Sequence, residues 1–209
     1  MKIGVIGGTR GIGRELVRLA AKGAHQVTVL ARDPGRVDEA VQGLRVVKGD
    51  ARDSTAVADL IVDQDVICSC LGVSPSIRAI DLFSESTSLI LSQVPDEHGC
   101  RILVVTGIGA GDSRGHGGFM YDKIIRPLLL GRIYEDKDRQ EQLLCNSKTN
   151  WTIIRPGSLT NGPRTGKYQI IRDMTGVTLG KISRADVADF MVSEIEQPKC
   201  ERGIINLCY

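Results

Sequence analysis

Two hydrophobic rhythms alternate along this chain. Short apolar runs rich in Val and Ile are separated by longer stretches in which apolar residues return every third or fourth position. The first rhythm suits a strand buried on both faces, and the second an amphipathic helix. Strands are expected at Ile3 to Ile6, Val27 to Leu30, Leu44 to Val47, Val66 to Cys68, Arg101 to Thr106, Trp151 to Arg155 and Ile204 to Leu207. Helices are expected from about Gly11 to Lys22, from a Ser54 cap through Ile61, from about Ala79 to Gln93, within Ile124 to Cys145, and from a Ser183 cap to Ile195. Pro127 and Gly131 disturb the start of the fourth helix. Asp33-Pro34-Gly35-Arg36 reads as a turn, and Pro156 to about Lys181 follows neither rhythm. Strand alternating with helix predicts a doubly wound parallel sheet with helices on both faces. One domain spans 1–209, with about 157–181 as an irregular segment on the substrate side.

A chain of 209 residues can bury one full core. Its formal charge of +2 argues against nucleic acid or a membrane surface as partner, so any basic site must be local. No stretch approaches the ~20 apolar residues of a membrane span, and the first apolar run stops at Gly7 to Arg10, too soon for a signal peptide; a cytoplasmic protein is expected. Six cysteines are spread along the chain and read as reduced. Cys68-Ser69-Cys70 is not C-x-x-C, and His25, His98 and His116 are scattered, so no metal site is expected.

The stretch that carries chemistry is "GGTRGIG", Gly7 to Gly13, placed between the first strand and the first helix. Backbone N–H groups at a helix N-terminus receive phosphate there, and glycine permits close approach and positive φ. The cradle comprises Gly7, Thr9, Arg10, Gly11, Ile12 and Gly13, with a bare tight turn as the other reading of the same glycines. A residue at the end of the second strand faces the adenosine ribose in such folds, where an acid binds NAD. Arg32 stands there instead. With Arg10 it can neutralise a 2′-phosphate, which favours NADP(H) over NAD(H). Two alternatives stay open: both arginines solvated, or Asp33 serving a ribose hydroxyl.

These residues resemble the short-chain dehydrogenase/reductase superfamily over essentially the whole chain. "GGTRGIG" is similar to the TGxxxGxG loop of its main branch, with Ile6 in place of the threonine. "KGDARD" (Lys48 to Asp53), "CSCLG" (Cys68 to Gly72), "KDRQEQLLCNSKTNWTIIRPGSLTN" (Lys137 to Asn161) and "ISRADVA" (Ile182 to Ala188) resemble its atypical NmrA-like and flavin-reductase-like branch. The resemblance implies a Rossmann-like NAD(P)-binding oxidoreductase. It places Asp50 and Ala51 near the adenine, and Cys70, Leu71 and Gly72 beside the cofactor. It also places Thr106 near the nicotinamide, Lys137 on the nicotinamide ribose, and Pro156 and Gly157 by the nicotinamide amide.

The superfamily's reductases protonate the product from Tyr-x-x-x-Lys, whose i,i+4 spacing puts both groups on one helix face. Four residues before Lys137 stands Ile133, which cannot donate; Tyr134 is offset by one. The catalytic candidates are Thr106, Tyr134 and Lys137; the alternative for Tyr134 is a packing or surface role, and for Thr106 a β-branched strand residue that satisfies local backbone. Carbonyl reduction needs a proton donor, whereas hydride transfer to a flavin needs mainly stacking and alignment. The expected activity is therefore NADPH-dependent reduction of a small-molecule acceptor, a flavin (FMN or FAD) or a quinone-like compound. The alternatives are an NmrA-like redox sensor that binds NADP(H) and a regulatory protein partner without turnover, and a sugar-nucleotide epimerase or dehydratase, which the short chain weakens. Arg164, Lys167, Tyr168 and Arg172 add a basic, tyrosine-bearing loop that holds an anionic substrate or is simply solvated. The six glycines of Gly107 to Gly118 suit a lid or plain mobile surface chain.

Overall fold

The computed structural model describes residues 1–38, 41–74, 79–94 and 99–209. Its central sheet has eight strands in the order β3-β2-β1-β4-β5-β6-β10-β8. In chain order these are β1 (Lys2–Ile6), β2 (Gln26–Ala31), β3 (Arg45–Lys48), β4 (Val66–Ser69), β5 (Arg101–Val105), β6 (Trp151–Pro156), β8 (Gln169–Ile171) and β10 (Gly203–Cys208). All pair in parallel except β8, which runs antiparallel to β10 at the edge. A two-stranded parallel ribbon joins β7 (Ser158–Thr160) to β9 (Lys181–Ser183).

Among the described residues, five α-helices cover the sheet: α1 (Gly11–Lys22), α2 (Ser54–Ile61), α3 (Leu82–Gln93), α4 (Gly131–Asn146) and α5 (Arg184–Glu196). Strand side chains alternate between the two faces, so the apolar strands supply two cores. Ile3, Val5, Leu103 and Val105 pack with Leu16 and Val17 of α1 and Phe190 and Met191 of α5. Ile102, Val104 and Ile153 face the other way, onto Val57 and Leu60 of α2, Ile90 of α3 and Leu144 of α4. Burial on both faces is why these strands read as unbroken apolar runs. A buried ion pair ties the middle of the chain to its last helix: Arg101 on β5 holds Glu194 of α5, and its Nη1 donates to the Glu194 carbonyl at 2.6 Å.

Four details differ from the sequence reading. The cap of α2 is Asp53, whose side chain accepts from Thr55 and Ala56 N–H, and not Ser54. The fourth helix is preceded by a π-helical segment, Tyr121–Leu130, that contains Pro127. Proline removes an i→i−4 donor, and the wider winding accommodates the break. The stretch 156–181 holds β7 and β8. The 107–118 loop is tied down: Ser113 Oγ accepts from Gly109 N–H at 2.9 Å, and Asp138 accepts from Gly111 N–H at 2.8 Å.

No helix among the described residues is long and apolar enough to cross a membrane. No three His, Cys, Asp or Glu among the described residues are grouped to hold a metal; His98 lies outside them.

Candidate functional site

Strand order reverses between β1 and β4, and an open cleft of about 1570 Å³ lies beyond their C-terminal ends. Such a switch point is where doubly wound sheets bind ligands. Of the sequence-derived cofactor and catalytic residues, Gly13 alone is not on the cleft wall; of the basic loop, Arg164 lines it and Lys167, Tyr168 and Arg172 do not. Gly13 acts from behind: a methyl group there would overlap the Gly7 carbonyl, so the glycine lets α1 close onto the β1 turn. Gly7, at φ +83°, sits against the Cys70 carbonyl, which a Cβ would approach to 2.6 Å. The first turn of α1 has no side-chain cap and no acidic residue. Its N–H groups are left facing the cleft, as an anion requires. Arg10 reaches across instead, donating to the Gly72 carbonyl at 2.7 Å and bridging the β1 and β4 loops.

At the end of β2 the Arg32 side chain is 78% exposed, 4.0 Å from Asp50. Asp33 is occupied, because its carboxylate accepts from Gly35 N–H at 3.2 Å and caps the following turn. Burial works to raise the Asp50 carboxyl, but the Arg52 N–H and guanidinium and the Arg32 charge outweigh it and hold the group below the ordinary carboxylate range. Cys70 stays a thiol, since burial pushes it up to about 12. Arg10, Arg14, Arg32, Arg52, Arg164 and Arg184 all line the cleft with Lys137, against three carboxylates, Glu15, Asp50 and Asp81. The basic excess of the site therefore exceeds that of the whole chain. On the 157–181 side, Arg164 pairs with Asp189 at 2.6 Å and Tyr168 donates to the same carboxylate at 3.0 Å.

The opposite end of the cleft is a buried polar network. Thr106, at the end of β5, donates to Glu141 at 2.7 Å, and its carbonyl accepts from the Lys137 ammonium. Glu141 also takes two bonds from the Arg155 guanidinium, at 3.0 and 2.6 Å, and Arg155 reaches on to Asp112. Burial pushes Lys137 down to about 8 against the opposing pull of Glu141. Tyr121, on the π-helical segment, places its hydroxyl 2.9 Å from the Ile108 carbonyl and 2.7 Å from the Tyr134 hydroxyl. Tyr121 has one proton, which the carbonyl must receive, so the bond between the phenols runs from Tyr134 to Tyr121. Burial first, then Tyr121, raises Tyr134 well above the ordinary phenol value.

Sequence reasoning had passed over Tyr121, Glu141 and Arg155 as site residues. The Lys-x-x-x-Glu spacing signalled Glu141, whereas nothing local signalled Tyr121.

A parallel sheet with a glycine cradle at its switch point defines a dinucleotide-binding oxidoreductase-like fold. The chain belongs to the NAD(P)H-binding family, whose model matches residues 7–198. It is 28% identical over 210 residues to the uncharacterized protein YwnB of Bacillus subtilis (strain 168), covering 95% of this chain and 94% of that one. Among solved structures it is similar to an anaerobillin reductase from Escherichia coli O157:H7, with 25% identity, TM-score 0.84, and 100% and 97% of the two chains covered. A candidate NADH-flavin reductase from Streptococcus pneumoniae TIGR4 shares the fold at 24% identity, TM-score 0.78, with 100% and 99% covered.

Proposed function

We propose that this protein is an NADPH-dependent reductase that passes hydride to a planar conjugated acceptor, such as a flavin or a quinone-like compound. The observation that carries the reading is the Tyr134 hydroxyl, which is buried and donated to Tyr121. A site whose phenol is engaged elsewhere suits an acceptor that needs alignment more than protonation by the enzyme. The reductase names of the two solved relatives agree with this class. Preference for NADP(H) is supported by the exposed Arg32 at the ribose position and by Asp33 being occupied in its own turn. In this reading Lys137 holds the nicotinamide ribose, which is supported by its lining the cleft together with Pro156 and Gly157. A bound nicotinamide would supply the hydride, and the chain's part would be to hold and orient it.

NADPH absorbance followed with purified protein and FMN, with NADH in parallel and a no-enzyme control, tests this. Enzyme-dependent oxidation selective for NADPH is expected. Binding of NADPH without turnover would favour the second reading, a cofactor-sensing regulator. That reading draws on the exposed Phe119, Met120, Leu128 and Leu129 around the π-helical segment, an apolar surface of the kind a protein partner covers.

A further inference from the structure

We infer that Arg184 is a second clamp on the cofactor diphosphate, facing the glycine loop from the α5 side and coupling cofactor occupancy to the 161–166 segment. The inference rests on the dinucleotide reading above. Arg184 is the first residue of α5. Its Cδ and Nε each lie 3.8 Å from the point where a Cβ on Gly11 would stand, and among the described residues outside α1 and the loop itself no other atom comes within 4 Å of that point. Gly11 is at φ +58°, so the loop turns its bare side toward this one cation. A diphosphate seated on the uncapped first turn of α1 meets backbone N–H groups on one side and a guanidinium on the other.

The charge of Arg184 is also available. Arg32, Arg52 and Arg164 on the same wall each have a carboxylate within 4.0 Å. Arg184 has none among the described residues; its guanidinium donates to the neutral side-chain oxygen of Asn161 at 2.8 Å. One donor is thereby used to orient the planar group, and the others remain for phosphate oxygens, which the guanidinium fork matches.

The clamp stands on a rigid base. Ser183 caps α5, and Asp186 in the same turn accepts from Thr165 N–H at 2.7 Å, Gly166 N–H at 2.8 Å and the Tyr209 hydroxyl at 2.6 Å. Ser183 Oγ also lies 3.1 Å from the Pro163 carbonyl. The 161–166 segment is thus fastened at Pro163, Thr165 and Gly166 to the turn that carries Arg184, and at Asn161 to Arg184 itself. An anion that fixes the guanidinium also fixes its tie to Asn161, the start of the stretch 161–164 that lines the cleft.

The test is a set of binding titrations of wild type, Arg184→Met and Arg184→Lys with NADPH, NADH, ADP-ribose and 2′-AMP, with thermal unfolding confirming that each variant is folded. Arg184→Met should weaken NADPH, NADH and ADP-ribose by one common factor, about ten- to a hundredfold, and leave 2′-AMP, which lacks a diphosphate, unchanged. Arg184→Lys should fall between. ADP-ribose should slow amide hydrogen exchange of residues 161–168 in wild type and much less in Arg184→Met. Equal ADP-ribose affinity in wild type and Arg184→Met, or an equal loss for 2′-AMP, would overturn the clamp while leaving the dinucleotide site standing. A wild type that binds none of the four would overturn both.

Discussion

The two ends of the cleft are built on opposite principles. At the glycine-loop end the working surface is backbone: Gly7 and Gly11 present main chain, and Gly13 removes a side chain so that helix and strand can close. At the opposite end the surface is made of side chains that satisfy one another, Thr106, Glu141, Arg155, Lys137, Tyr134 and Tyr121. The first end fails when an atom is added, and the second when a buried charge loses its partner. The first is therefore written in a few consecutive residues, while the second is assembled from β5, β6, α4 and the π-helical segment.

The largest effect is expected at Glu141. Arg155 is 2% exposed, and Glu141→Ala leaves its charge without its bidentate partner. Urea unfolding should show a loss of about 3–5 kcal/mol. Gly13→Ala inserts a methyl against the Gly7 carbonyl, and the same measurement should show about 3 kcal/mol together with loss of NADPH binding. A fully stable Gly13→Ala would break the contrast between the two ends.

Arg32→Ala should weaken NADPH by about 2 kcal/mol in a binding titration and leave NADH unchanged, because only the 2′-phosphate contact is lost. A smaller effect follows from Lys137, whose burial brings it to about 8. Below that pH the ammonium is present in the folded protein, so NADPH affinity should fall as pH rises through about 8, and Lys137→Met should flatten the profile. The unfolded chain keeps the proton up to about 10.4. Between these values it binds more protons than the folded state, so this residue's contribution to stability rises with pH there.

Much of the fold was legible because strands buried on both faces leave unbroken apolar runs, as Ile102 to Val105 does. The glycine cradle and the Ser183 cap were legible because each is a local requirement of backbone geometry. The α2 cap was misplaced by one residue because Asp53 and Ser54 are both good caps, and only the chain's entry angle selects between them. Tyr121 was invisible because its role depends on the π-helical winding around Pro127, which sets it opposite Tyr134 thirteen positions on. The 107–118 loop looked mobile from its glycines. Its anchors, Ser113 and Asp138, act through bonds that no spacing rule reports. The Thr106–Glu141 bond likewise joins residues 35 positions apart.

The account centres on hydride delivery without a tyrosine proton donor, and the smallest expected effect tests it most directly. NADPH oxidation in the presence of FMN should be measured for wild type and Tyr134→Phe under the same conditions. The hydroxyl donates to Tyr121, so the variant should keep its turnover within about threefold of wild type. A fall of about a hundredfold or more, the size a lost general acid produces, would contradict the account and make Tyr134 the proton donor.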